Sequence, residues 1–262
     1  MSLFSAVQLK RTFGLARSLV IYHRPGRQKP LRVLYSQFVN DGDLVFDVGA
    51  HVGDRTIAFV ALGAKVVAVE PNPHLMRWLR RLVFQKDRVV FLAEAVGSRS
   101  GAAQLALSHR TPTVSSLASE WRHTLQAHAP GFRNIRWEEA ITVPVTTLDE
   151  MISKHGVPAF CKIDVEGFEA EVLIGLTSPI PALSFEFVSG TLEQAILCLD
   201  ELRRLGEYEF NAIAGERRSF IWPGWQSATW VRQWLADGSN GIASGDIYAR
   251  LISTKQGGLC ST

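Results

Sequence analysis

The sequence predicts an α/β fold, an open and mostly parallel sheet with helices on both faces. Three observations carry that expectation. Leu44-Val45-Phe46-Asp47-Val48 is an apolar run of buried-strand type that stops at two glycines four apart, Gly49 and Gly53. Lys65 to Glu70 repeats the pattern with β-branched residues and is stopped by Pro71-Asn72-Pro73. Helix-length segments separate these runs, as right-handed parallel crossovers require.

The elements follow in chain order. Residues 3–22 place Leu9, Phe13, Ala16 and Val20 near helical spacing with arginines between them, which reads as one or two amphipathic helices. His23 to Arg27 is a Pro-Gly loop, and Leu31 to Val39 reads as a short helix before the turn at 40–43. The first strand is 44–48, a helix covers 56–62, the second strand is 65–70 and a helix runs from His74 to Lys86. A third strand spans 87–92, and Ala103 to Leu107 alternates like a small strand. Residues 108–140 are weakly periodic and long enough to be a lid or substrate segment. Ile141 to Val145 is a strand whose Pro144 suggests an edge position. Thr147 and Glu150 form a capping-box pattern. Strands at 159–164 and 182–187, each closing on acids, flank a helix over 168–176. Thr191 to Leu205 is an amphipathic helix with Leu192, Ala195, Ile196, Leu199, Leu202 and Leu205 on one face. Strands at 208–213 and 246–251 enclose residues 219–245, which hold four tryptophans and read as an apolar cover or a second substrate segment.

Composition bounds the function. With 262 residues, 47% of them hydrophobic, the chain suffices for one large domain with a short appendage, and it shows no internal repeat. The net charge of +3 is unevenly spread: residues 1–40 hold seven bases and no acid, which leaves 21 bases against 25 acids beyond them. The division expected is a basic helical arm or cap at 1–39, a mildly acidic main domain at 40–253 and a mobile tail at 254–262. The arm suits a peripheral membrane or protein contact, while the mildly acidic domain disfavours nucleic acid as substrate. Three scattered cysteines without a CxxC pair argue against a disulfide framework and structural zinc, and favour a reducing, cytoplasmic setting. Lys10, Arg11 and Arg17 interrupt the apolar N-terminal stretch, so neither a secretory signal nor a transmembrane span is expected.

In an open α/β sheet the strand ends line the ligand crevice, and here three of them carry acids: Asp47, Glu70 and Asp164. Glu70 lies 21 residues after Gly49, the distance at which an acid hydrogen-bonds ribose hydroxyls. A dinucleotide fold wants three glycines and no acid before them, yet position 51 is His and Asp47 opposes a pyrophosphate. S-adenosylmethionine has no phosphate and carries positive charge, so it suits nearby carboxylates better.

Asp47-Val-Gly-Ala-His-Val-Gly53, Glu70-Pro71-Asn72, Ala95-Val96-Gly97 and above all Cys161-Lys-Ile-Asp-Val-Glu-Gly-Phe-Glu-Ala-Glu-Val-Leu-Ile-Gly175 resemble the FkbM family of SAM-dependent methyltransferases, over roughly residues 40–215. The resemblance implies a Rossmann-like class I methyltransferase fold, seven-stranded with one antiparallel strand, and O-methylation of a hydroxyl on a small molecule, sugar or natural product. It also implies that Asp47, Gly49, Ala50, His51 and Gly53 surround the methionine end of the cofactor. Glu70, with Pro71 and Asn72, holds the ribose, and Glu94 with Ala95 borders the adenine. The family often has Asn where His51 stands.

For chemistry, Asp164 is the expected base or orienter of the acceptor hydroxyl, with a purely structural role as the alternative. Lys162 shares its strand face and pairs with it, and Glu166 follows in the turn. Asp164, Glu166 and Glu186 are a less favoured Mg²⁺ set. Two other functions compete with methyl transfer: a non-catalytic SAM-binding or regulatory module, and an NAD-dependent oxidoreductase. The oligomeric state and the acceptor, small molecule or glycan, are not legible.

Overall fold

The computed structural model describes residues 26–128 and 133–254. The N-terminal amphipathic segment at 3–22 and the tail beyond 254 lie outside them. Helix α1 (Gln28–Tyr35) precedes strand β1 (Leu44–Val48), helix α2 (Asp54–Ala61), β2 (Lys65–Val69), α3 (Pro73–Leu82) and β3 (Val89–Leu92). Then come β4 (Ala95–Val96), β5 (Gly101–Leu107), α4 (Ser119–His128), β6 (Glu139–Thr146), α5 (Leu148–His155), β7 (Phe160–Ile163), α6 (Glu169–Ile174) and β8 (Ala182–Val188). The chain continues through α7 (Leu192–Leu205), β9 (Gly206–Ala214), β10 (Gln226–Ser227), α8 (Ala228–Ala236) and β11 (Ser244–Thr254).

The main sheet has the order β10-β9-β11-β8-β7-β1-β2-β3. Strands β3, β2, β1, β7 and β8 are mutually parallel, and β11 runs antiparallel between β8 and β9. The seven-stranded expectation needs correcting to eight, because the two-residue β10 adds antiparallel to the edge of β9 and becomes a second reversed strand. A two-residue ladder leaves no periodicity to read.

Alternation along the strands sorts the core into two layers. Phe46, Cys161, Leu183, Phe185 and Ile247 face the layer that contains α6, α7 and α8. Val45, Val66, Phe160, Ala182 and Tyr248 face the layer formed by α1, α2 and α3. Helix α1 buries Leu31, Leu34 and Tyr35 there, so the packed core begins before residue 40. In α7, Ala195, Leu199, Leu202 and Leu205 are buried on the face the sequence implies, as is Cys198 between them. Each leucine contributes about 1.5–3 kcal/mol of burial.

Local differences have local causes. The helix expected to Lys86 ends at Leu82, because Val83 turns extended at ψ 113° and residues 86–88 form a separate 3₁₀ turn, delaying β3 to Val89. Pro144 does not lie on an edge strand: β6 is the centre of a second sheet, β4-β6-β5. The partner β4 reaches only Val145 and Thr146, so the proline stands just before that ladder begins. The weakly periodic 108–140 segment is substantially ordered: α4 buries Trp121 and Leu125 against Val114 and Val188. The Thr147 hydroxyl accepts from the Glu150 N–H and caps α5. Among the described residues no helix is long and apolar enough to cross a membrane.

Candidate active site

The parallel strands all end at one edge of the sheet, and β11, being antiparallel, begins there. Register then fixes the polar side chains. Asp47 neighbours Lys162, Lys162 neighbours Ser184, and Ser184 neighbours Tyr248. Two residues along, on the same face, come Asp164, Glu186 and Asp246, the last two directly paired. A single face of the sheet therefore carries Lys162 inward and three carboxylates at its rim.

Two cavities meet at this rim and share Gly49, His51 and Asp164. The first is polar, about 120 Å³, and is lined among others by Arg55, Lys162, Glu166, Glu186, Glu216 and Asp246. The second is an apolar slot between Val69, Leu75, Val96, Leu105, Leu117 and Phe168, with Glu70, Pro71, Glu94 and Ala95 on its wall. The glycine turn separates them. Gly49 has φ +79°, and a Cβ there would lie 1.8 Å from the Asp164 carbonyl oxygen, so only glycine allows the β1 turn to touch the end of β7.

Glu70 is nearly fully buried, yet both oxygens are engaged: Oε2 accepts the His51 N–H at 2.9 Å and Oε1 the Asn72 N–H at 2.8 Å. Burial outweighs those bonds and raises its pKa to about 8. Each oxygen keeps a lone pair for a further donor. Asn72 itself caps α3 by accepting the His74 N–H.

Lys162 is buried and donates to Asp164 Oδ2 at 2.6 Å. Burial alone would raise the Asp164 pKa, but the Lys162 ammonium, helped by His51 and Arg55, holds it at about 2. The Lys162 pKa moves up in turn: burial opposes this, and the charges of Asp164 and Asp246 overcome it. The pair stays ionised, and Asp164 is a weak base. Burial pushes Glu166 and Glu186 the other way, reinforced by the neighbouring carboxylates, so both bind protons far more tightly than free glutamate. Burial lowers the His51 pKa.

The 162–169 motif is a folded turn as much as a site. Glu166 and Gly167 both have positive φ, 55° and 86°. Glu169 Oε1 accepts the N–H groups of Val165 at 3.0 Å and Gly167 at 3.3 Å, which closes the turn. The Ser116 hydroxyl donates to the Glu166 carbonyl at 2.6 Å, and the Asn72 amide donates to Ser115 Oγ at 3.3 Å. These two serines fasten the 108–140 segment over the apolar slot.

The sequence-derived residues thus divide. Gly49, Ala50, His51, Glu70, Pro71, Glu94 and Ala95 line one cavity or the other, as do Lys162, Asp164, Glu166 and Glu186. Asp47, Gly53 and Asn72 line neither. Asp47 lies under the turn and accepts from the Thr56 hydroxyl, so the ionised acid that would meet a pyrophosphate is Asp164. His51, Asp164 and Glu166 bring their ligand atoms within 4.8 Å of one another, whereas Glu186 stands outside that group. Sequence reasoning missed Arg55, Glu216 and Asp246. Asp246 had a readable signal, since an antiparallel strand starts where its parallel neighbours end. Trp230 and Trp234 meet Trp222 edge-to-face, Trp225 packs separately against Phe38 and Phe220, and none of the four lines either cavity.

The chain is similar to several known proteins. The hexuronic acid methyltransferase AglP of Haloferax volcanii is 28% identical over 169 residues, 62% of this chain and 62% of that protein's length. The precorrin-6y C5,15-methyltransferase of Geobacter metallireducens superposes with a TM-score of 0.45 at 13% identity, over 84% of this chain and 86% of that one. A TehB-like SAM-dependent methyltransferase from Corynebacterium glutamicum gives 0.45 at 9% identity, over 90% and 93%. The family described as the methyltransferase FkbM domain matches residues 47–236, from the acid of the glycine turn to the end of α8, and the chain belongs to that family.

Proposed function

We propose that the protein transfers a methyl group from S-adenosylmethionine to a hydroxyl of a sugar or a similar small acceptor. The observation that carries this reading is the pair of cavities joined at Gly49, His51 and Asp164: an apolar slot with a ribose-type acid, opening into a polar chamber. The slot suits an adenosine. Its side walls are aliphatic and aromatic, and Glu70 offers one lone pair per oxygen to two hydroxyl donors. A nicotinamide dinucleotide fits poorly, because its diphosphate would meet the ionised Asp164 carboxylate where the two cavities join.

When bound, S-adenosylmethionine supplies an electrophilic methyl group on a sulfonium. The chain's own residues do the rest. Gly49 and Ala50 let the backbone approach closely, with His51, Asp164 and Glu166 presenting a polar wall to the cofactor's positive charge. Lys162 fixes Asp164 in place and ionised, which suits it to orienting an acceptor hydroxyl. Glu186 lines the same chamber with Oε2 free of any hydrogen-bond partner among the described residues, so in its ionised form it is the group placed to receive the hydroxyl proton. Alignment of acceptor and methyl supplies the larger part of the barrier reduction, up to about 7–11 kcal/mol.

The sugar acceptor is supported by the hexuronic acid methyltransferase relative. The test is incubation with isotope-labelled S-adenosylmethionine and a panel of hexoses, hexuronates and their glycosides, read by mass spectrometry. A methyl ether on one of them is the expected product. Binding of S-adenosylhomocysteine without turnover on any acceptor would favour the non-catalytic reading, and binding of NAD alone would defeat both.

A further inference from the structure

We propose that the polar cavity binds one divalent transition-metal ion of the Mn²⁺ kind, on the His51 imidazole and the carboxylates of Asp164 and Glu166. Ligand atoms of these three residues all lie within 4.8 Å of one another. Bonds of about 2.0–2.2 Å to nitrogen and oxygen put two ligands of one ion up to roughly 4.4 Å apart, so a small side-chain adjustment closes the set. The residues come from different elements, the glycine turn and the loop after β7, and both are held rigidly. His51 sits at φ 49° with its N–H tied to Glu70, and Glu166 sits at φ 55° with its carbonyl tied to Ser116.

Proximity of acids alone does not make a metal site. The independent observation is the absence of partners. Glu166 is 9% exposed and Asp246 8%, both line the cavity, and neither side chain has a hydrogen-bond partner among the described residues. Glu186 Oε2 is buried without a partner as well. Buried carboxylates are ordinarily paired or hydrogen-bonded, because leaving them bare costs several kcal/mol. Here Lys162 answers Asp164 through one oxygen, while Arg55 pairs with Asp54 and with Glu216 at 3.7 Å and hydrogen-bonds none of Glu166, Glu186 or Asp246 among the described residues. Three carboxylates around the chamber, Glu166, Glu186 and Asp246, are left without a bonded cation. A doubly charged ion at the His51–Asp164–Glu166 vertex offsets them, with Glu186 and Asp246 on the wall of the same cavity. One imidazole among carboxylates favours Mn²⁺ over the all-oxygen preference of Mg²⁺ or Ca²⁺.

The position of this ion beside the acceptor hydroxyl rests on the methyl-transfer reading, whereas its binding does not. The competing occupant is the cofactor's own α-ammonium, which the same carboxylates would attract. Titration of the full chain with Mn²⁺, following loss of the free-ion signal by electron paramagnetic resonance, separates the two. The expected result is one Mn²⁺ per chain, retained when S-adenosylhomocysteine is saturating, and weakened at least about tenfold by Glu166→Gln or by His51→Asn. Asn tolerates the left-handed backbone at position 51, so the second variant preserves the turn. No stoichiometric binding, unchanged binding in both variants, or release of the ion by S-adenosylhomocysteine would overturn the proposal. If Mn²⁺ binds but calorimetry finds no affinity for S-adenosylhomocysteine, the metal site stands and the methyl-transfer reading falls.

Discussion

Substituting Glu70→Gln tests the apolar slot, proposed to hold the cofactor's adenosine, through two quantities of opposite pH behaviour. The native carboxylate accepts one backbone N–H on each oxygen, from His51 and Asn72. An amide cannot do this, because its NH₂ must face one of those donors. The lost bond costs about 1–3 kcal/mol of stability. Against that stands the ionisation of a buried acid. Glu70 has a folded-state pKa of about 8 against 4.5 for the free side chain, and burial is the main cause. A raised carboxylate pKa means the folded state holds its proton more tightly, so this group erodes stability as pH rises from 4.5 towards 8. The slope is at most about 1.4 kcal/mol per pH unit, or roughly 5 kcal/mol across the window. Glutamine abolishes that slope. The variant should therefore be less stable than wild type at pH 5 and should draw level or overtake it by pH 8, measured by urea denaturation at both pH values. Binding moves the other way. Ribose hydroxyls favour the ionised acceptor, and losing charged hydrogen bonds of ~1.5–3 kcal/mol weakens adenosine and S-adenosylhomocysteine at pH 8 by roughly 10- to 150-fold. A stability gap that does not change with pH, or unaltered adenosine affinity in calorimetry, would refute the placement of Glu70.

Three further substitutions probe the site's supports. Lys162→Met leaves the Asp164 charge without its buried partner and should cost about 3–5 kcal/mol in chemical denaturation. Gly167→Ala places a Cβ about 2.1 Å from the Trp121 ring at φ +86°, which should lower stability by at least ~1–3 kcal/mol and release α4 to faster hydrogen exchange. Glu216→Gln removes a half-exposed acid whose pKa, against some desolvation, is held at about 2 by Arg55, Arg218 and Arg27. A depressed pKa gives stability that is present above about 4.5 and lost as pH falls towards 2. The variant's Tm should accordingly sit below wild type at pH 7, with the gap narrowing under acid.

The central strands of the sheet were legible because burial on both faces writes a continuous apolar run. Residues 44–48, 65–69 and 160–163 announce themselves that way, and the glycine and proline stops set their limits. Features that rest on partners elsewhere were not legible. The centrality of β6 depends on β4 arriving from 50 residues upstream with only two paired residues. The end of α3 at Leu82 follows from Val83 being buried in the layer it helps to close, which propensity at Phe84 to Lys86 does not report.

The site shows the same division more sharply. Its residue types were readable, because acids at the ends of parallel strands are rare in a core and must answer to something. Their assignment to tasks was not, because a task depends on which way a carboxylate faces and on what sits beside it. Asp47 and Glu70 look equivalent as text, one at each of two adjacent strand ends. Thr56 ties the first beneath the turn, while two N–H groups hold the second against the slot. Asp164 and Glu166 stand two residues apart in one motif, but Lys162 reaches only the first. One is therefore ionised and weakly basic, and the other is buried with no partner. The motif fixes the turn through Glu169 and Gly167, and the turn then gives two like side chains opposite electrostatic surroundings. A shared motif can thus preserve the turn, while Glu186, Glu216 and Asp246, outside it, set the charge of the polar cavity's wall, which on the proposed methyl-transfer reading is the charge an acceptor meets.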